Sequence, residues 1–142
     1  MIAIVVLAAA SVAAAPPPHC PGDSTIEINE CLGAELAKAE DELKRYLGAV
    51  RRRLQSETSD SPDAGAALAD IDKAQVAWTA YRKAECDGVY DYWKAGTIRT
   101  AMALNCEIEL TRRRTHTVWS EWLTYMDSTP PILPEPSVES AR

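Results

Sequence analysis

From Ser24 onward, apolar residues return every three or four positions, the spacing of helices that bury one face. Ile28, Leu32, Leu36, Ala39, Leu43, Tyr46 with Leu47, Val50 and Leu54 form the first such stripe. Ser24 followed by Glu27 reads as a capping box, in which a hydroxyl and a carboxylate satisfy amides that the first turn leaves free. The pattern predicts a first helix over about 25–56, roughly 45–50 Å long. Glu57 to Gly65 breaks it with Ser, Asp, Pro and Gly. Ser61-Pro62 then has the form of an N-cap followed by proline at the first helical position, where a missing N–H costs nothing.

The second helix has Leu68, Ile71, Gln75, Trp78 and Arg82 on its seam, extended to Glu85, with Ala74, Ala77 and Tyr81 widening the apolar face. Gly96-Thr97 reads as a terminating glycine and a new N-cap, which places the third helix at about 98–126, although an end of the second helix at Gly88 also fits. Connections this short make sequential helices antiparallel. Ser128 to Arg142 holds four prolines and no periodicity, and the expectation there is a disordered tail.

Residues 1–15 carry no charge. An apolar run from Ile2 to Ala10 followed by small residues has the form of a secretory signal, too short to span a membrane. No Lys or Arg precedes Lys38, so the usual positive start of a signal is missing. Val12 with Ala14, or Ser11 with Ala13, suits cleavage, and Pro16 disfavours a cut after Ala15. Pro17, Pro18 and His19 stand where a lipidated cysteine would need small residues. The organisation expected is a signal peptide at 1–15, one helical domain at 16–127 and a tail at 128–142, in a soluble periplasmic or secreted protein. Oligomeric state is not legible.

Export makes the four cysteines legible, because an oxidising compartment favours disulfides. Reflection about Gly96 carries Cys86 onto Cys106, on neighbouring helices at one height. Reflection about residues 59–60 brings Cys31 to the same end, and Cys20 lies just before the first helix. Cys20–Cys31 with Cys86–Cys106 is the favoured pairing, and the other two pairings stay open because all four thiols gather at one end. The fold class is therefore all-α, an antiparallel up-down three-helix bundle stapled by two disulfides. A zinc site fits poorly, with no C-x2-C or C-x2-H pair and with His19 and His116 far apart. No cofactor is expected.

Catalysis finds no constellation. Neither histidine has a Cys or Ser partner with an orienting carboxylate, and Glu107 and Glu109, two apart on a helix, point to different sides. The chain is read as a non-enzyme. Its formal charge of −6 lies wholly behind the leader, which argues against nucleic acid and for a cationic protein partner. Asp23, Glu27, Glu30, Glu35, Glu85, Asp87, Asp91, Glu107 and Glu109 fall toward the cysteine end, against Arg82, Lys83, Lys94 and Arg99. Glu85, Asp87 and Asp91 are the candidate partner-binding residues. The triplets Arg51–Arg53 and Arg112–Arg114 fan around their helices and cannot form one flat polyanion face; the reading is solvated charge with one arginine turned inward.

Several of these residues recur in a known pattern. Cys31-Leu32 with Glu40-x-x-Leu43-x-x-Tyr46, then Gln75-x-x-Trp78-x-x-Tyr81-Arg82-x-x-x-Cys86, then Cys106 with Thr111-x-x-Arg114, resembles the LprI-like lysozyme-inhibitor domain family of exported bacterial proteins. The resemblance covers about residues 20–123. It implies a small helical, disulfide-bonded envelope domain that binds lysozyme, or an envelope interaction or stress protein of the same family without that target. Reflection puts Glu40, Trp78 and Arg114 at one level with Arg82 a turn away. Glu40, Gln75, Trp78, Tyr81, Arg82 and Arg114 are thus read as a structural polar layer, with Glu40 the buried partner of Arg82 or Arg114. Trp119 and Trp122 are read as packing at the end of the third helix, or as an exposed hot spot if that helix overhangs the bundle.

Overall fold

A computed structural model describes residues 20–137, and the leader expected at 1–15 lies outside them. Three helices, α1 (Thr25–Glu57), α2 (Pro62–Tyr92) and α3 (Arg99–Trp122), make up the regular structure, with no strand among the described residues. The all-α, disulfide-stapled bundle is what the patterning predicts. The capping box closes α1: the Glu27 amide donates to Ser24 Oγ at 3.2 Å, and the Ser24 amide donates back to Glu27 Oε2 at 3.1 Å. Ion pairs give the register. Arg51 meets Asp72 at 2.6 Å and Arg82 meets Glu40 at 2.7 Å, so α1 and α2 run antiparallel; Arg112 reaches Glu35 at 3.4 Å and Arg53 donates to the Trp122 carbonyl at 2.6 Å, which together set α3 parallel to α1.

The α2–α3 connection differs from expectation. α2 stops at Tyr92, Thr97 is not the N-cap, and Gly96 does not take the left-handed conformation of a helix-ending glycine. The last carbonyls of α2 are met in another way. Trp93 and Lys94 donate back to Val89 and Asp91, and the Arg99 guanidinium donates to the carbonyls of Lys94 at 3.3 Å and Gly96 at 3.4 Å. The two amides close the helix end without a left-handed glycine, and the arginine holds the carbonyls of the loop that follows.

The core is unevenly placed. Leu43, Tyr46, Leu47, Val50 and Leu54 of α1 pack with Ala64 and Ile71 of α2, Val118 of α3 and Leu123, all away from the cysteines. The disulfides close the other end, Cys20–Cys31 with Cα atoms 5.6 Å apart and Cys86–Cys106 at 5.7 Å. Where less apolar surface is buried, covalent links supply the cohesion. All four thiols are consumed, which leaves none for a metal.

The tail corrects the expectation of disorder over 128–142 for the part that is described, 128–137. It turns back across the bundle. Ile132 donates its amide to the Leu123 carbonyl at 2.9 Å, Trp119 Nε1 donates to the Leu133 carbonyl at 2.9 Å, and Tyr46 Oη donates to the Pro134 carbonyl at 2.6 Å. Leu133 packs on the core and Pro136 is buried. Prolines have no amide to satisfy and are already extended, so a proline-rich strap docks mainly through carbonyls and side chains, with the Ile132 amide as its backbone donor. Such docking leaves no periodicity in sequence.

Candidate functional site

Two features compete for function: a polar seam between the helices and the surface of the disulfide end. In the seam, the Arg82 guanidinium is the enclosed member, its side chain 14% exposed against 47% for Glu40. It donates to Glu40 Oε1 at 2.7 Å and to Thr111 Oγ1 at 2.8 Å, lies 3.9 Å from Glu107, and stacks 5.1 Å from the Trp78 ring centroid. Charge, hydrogen bonding and the indole face together hold it in one orientation. Arg114 donates to Gln75 Oε1 at 3.2 Å, and burial lowers the guanidinium pKa from its ordinary value.

The expected layer is therefore two adjoining clusters. Glu40, Trp78 and Arg82 meet directly; Gln75 and Arg114 pair beside them. Two assignments change. Glu40 is half-exposed and not a buried charge, because α1 and α2 diverge around a shallow groove of about 220 Å³ bordered by Glu40, Lys44, Trp78 and Arg82. Tyr81 lies outside the layer altogether, 52% exposed, and Ala74 and Ala77 beside it are also exposed. The third helix covers the side of α2 that carries Arg82 and Cys86 and leaves this side to solvent.

The arginine triplets are more engaged than their expectation of one inward residue. Arg51 pairs with Asp72, and Arg53 donates to the Trp122 carbonyl at 2.6 Å and stacks 4.8 Å from the Tyr125 ring. Arg112 reaches Glu35 and Arg113 pairs with Glu109. Trp119 and Trp122 pack against the core, as read from the sequence.

At the disulfide end, Glu85, Asp87 and Asp91 are all exposed on the last turns of α2. Asp87 accepts from Lys83 at 2.6 Å and Asp91 lies 3.7 Å from Lys94, exposed pairs of the kind that contribute little and exchange readily with solvent. The Asp87 carboxylate raises the pKa of the Lys83 ammonium by hydrogen bonding and then by charge. Sequence reading missed two residues here. Tyr92, 84% exposed, meets the Trp93 ring edge-on with centroids 5.7 Å apart. Arg99, besides capping the turn, donates from Nε to Tyr90 Oη at 3.0 Å. Its only sequence signal was a cation at the start of α3, where the helix dipole disfavours one.

No described helix is long and apolar enough to cross a membrane. No solved structure matches the chain. An uncharacterized protein of Rhizobium meliloti (strain 1021), R02472, is 30% identical over 105 residues, spanning 70% of this chain and 76% of that protein. The family model described as lysozyme inhibitor LprI matches residues 20–117, from the first cysteine through most of α3. Since that match takes in both disulfides and the polar seam, the chain belongs to the LprI lysozyme-inhibitor family.

Proposed function

We propose that this protein is an exported lysozyme inhibitor that acts by docking its acidic, disulfide-closed end on a basic lysozyme. The observation that carries the reading is the family match over residues 20–117. The charge supports it: a chain of formal charge −6 exposes Glu85, Asp87 and Asp91 at one end. Lysozymes of the animal type are basic and cleave with two carboxylates in a cleft, so a negative surface steers the domain toward them and covering the cleft suffices to inhibit. Two disulfides and the absence of a membrane-crossing helix among the described residues fit a periplasmic or secreted site of action.

The test is lysis of a bacterial suspension by several lysozyme types, with and without the purified oxidised protein. Inhibition of an animal-type lysozyme at micromolar concentration is the expected result. No inhibition of any type would favour the family's other reading, an envelope interaction protein without a lysozyme target.

A further inference from the structure

We propose that the solvent-facing side of the C-terminal half of α2, from Tyr81 to Tyr92, is the surface that seats the lysozyme, an inference that rests on the inhibitor reading above. Tyr81, Glu85, Gly88 and Tyr92 follow one another at helical spacings of three and four and share one face. The two tyrosines are 52% and 84% exposed and stand roughly 16 Å apart along the axis. Between them the surface is low: Ala84 is small and exposed, and a Cβ added at Gly88 would meet no atom within 4 Å. Trp93 and Ile98, 37% and 43% exposed, continue the apolar surface around the turn. Exposed aromatic anchors flanking a flat strip have the composition of binding hot spots.

The electrostatics select a cationic occupant. Asp87 and Asp91, whose pairs with Lys83 and Lys94 are solvent-exposed and readily exchanged, sit at the C-terminal end of α2, where the helix dipole is already negative and the last turn holds no basic residue. Helix stability alone favours the opposite arrangement, whereas a basic partner gains from dipole and carboxylates together. The surface is also held rigid. The Cys86–Cys106 bridge fixes the back of this segment, and Arg99 ties Tyr90 and the turn carbonyls together. Little ordering is left to be lost on binding.

The experiment uses the two glycines at which a side chain meets open space, Gly33 and Gly88. Gly88→Arg places a bulky cation in the middle of the strip, and Gly33→Arg adds the same charge on α1 near the same end. Both replace glycine inside a helix by a better helix former, so folding is retained; thermal unfolding of each variant checks this. Against animal-type lysozyme, Gly88→Arg and the exposed-site change Tyr92→Ala are each expected to weaken inhibition by about tenfold or more, with Gly33→Arg staying within about twofold. Wild-type inhibition undiminished in Gly88→Arg and Tyr92→Ala, or lost equally in Gly33→Arg, would overturn this surface and leave the inhibitor reading standing. A wild-type protein that inhibits no lysozyme would overturn the inhibitor reading, and this surface with it.

Discussion

Tyr46 of α1 donates its hydroxyl hydrogen to the Pro134 carbonyl at 2.6 Å, joining the first helix to a tail 88 residues later in the chain. The phenol is 1% exposed, so the bond is made away from water and holds the strap where Leu133 and Trp119 meet. Tyr46→Phe is expected to cost about 1 kcal/mol in urea denaturation. Truncation after Asp127 removes this bond, the Trp119 bond and the burial of Leu133, and is expected to cost more, on the order of 2–4 kcal/mol. Wild-type stability in the truncated protein would show that the strap contributes nothing.

The same tyrosine predicts a pH dependence. Burial, and then the charge of Glu42, raise its pKa above the ordinary value, with Arg45 opposing. The unfolded chain releases the phenolic proton near pH 10, roughly, while the folded chain retains it. Above that pH the unfolded state therefore binds fewer protons, and stability falls as pH rises toward the folded pKa. Tyr46→Phe removes this titration, so its stability measured by denaturation should decline less steeply than wild type above about pH 10.

Arg82 and Glu40 should respond unequally although they are partners. Glu40 is half-exposed, and Glu40→Ala leaves Arg82 its bond to Thr111 and its neighbour Glu107, for an expected loss of about 0.5–1 kcal/mol. Arg82→Ala removes the charged hydrogen bonds and the stacking on Trp78, for about 2–3 kcal/mol. Chemical denaturation of the two variants decides it. Equal losses would mean that the ion pair alone, and not the enclosure of Arg82, holds the seam.

The disulfides close loops of 20 and 11 residues. Loop-closure entropy gives each about 3 kcal/mol, slightly more for the longer. Paired Cys86→Ala and Cys106→Ala is expected to lower the unfolding midpoint without loss of helix, measured by thermal denaturation followed by circular dichroism. It should also weaken inhibition, since the bridge backs the exposed face of α2.

Charge steering gives a kinetic prediction. Reversing Glu85, Asp87 and Asp91 to Lys should slow association with a basic lysozyme more than it speeds dissociation, and the wild-type rate should fall as salt rises, because charges are screened beyond about 8–10 Å. The same reversal at Glu57, Asp60 and Asp63, which flank and fill the α1–α2 turn at the other end, should do little. Surface-bound kinetics on both triple variants test it, and equal losses would reduce the effect to net charge.

The sequence by itself determined whatever depends on neighbours along the chain. The three-to-four periodicity of α1 marks Leu32, Leu43, Val50 and Leu54, all buried, and Ser24 with Glu27 fixes where that helix begins. Reflection about short turns is also local reasoning: it placed Cys86 against Cys106, and it put Glu40 level with Trp78 and Arg114 while leaving the choice between Arg82 and Arg114 to the tertiary structure, which pairs Glu40 with Arg82. Tertiary structure decided what depends on which faces meet. Tyr81 has the spacing of a core residue, yet α3 covers the other side of α2 and leaves it in water. Gly96 was read as ending α2, yet the amides of Trp93 and Lys94 close that helix and the Arg99 guanidinium holds two carbonyls of the loop that follows. The tail is the clearest case: its partners Tyr46, His116 and Trp119 lie in two different helices, and a proline-rich segment that docks by its carbonyls carries no pattern to announce the contact.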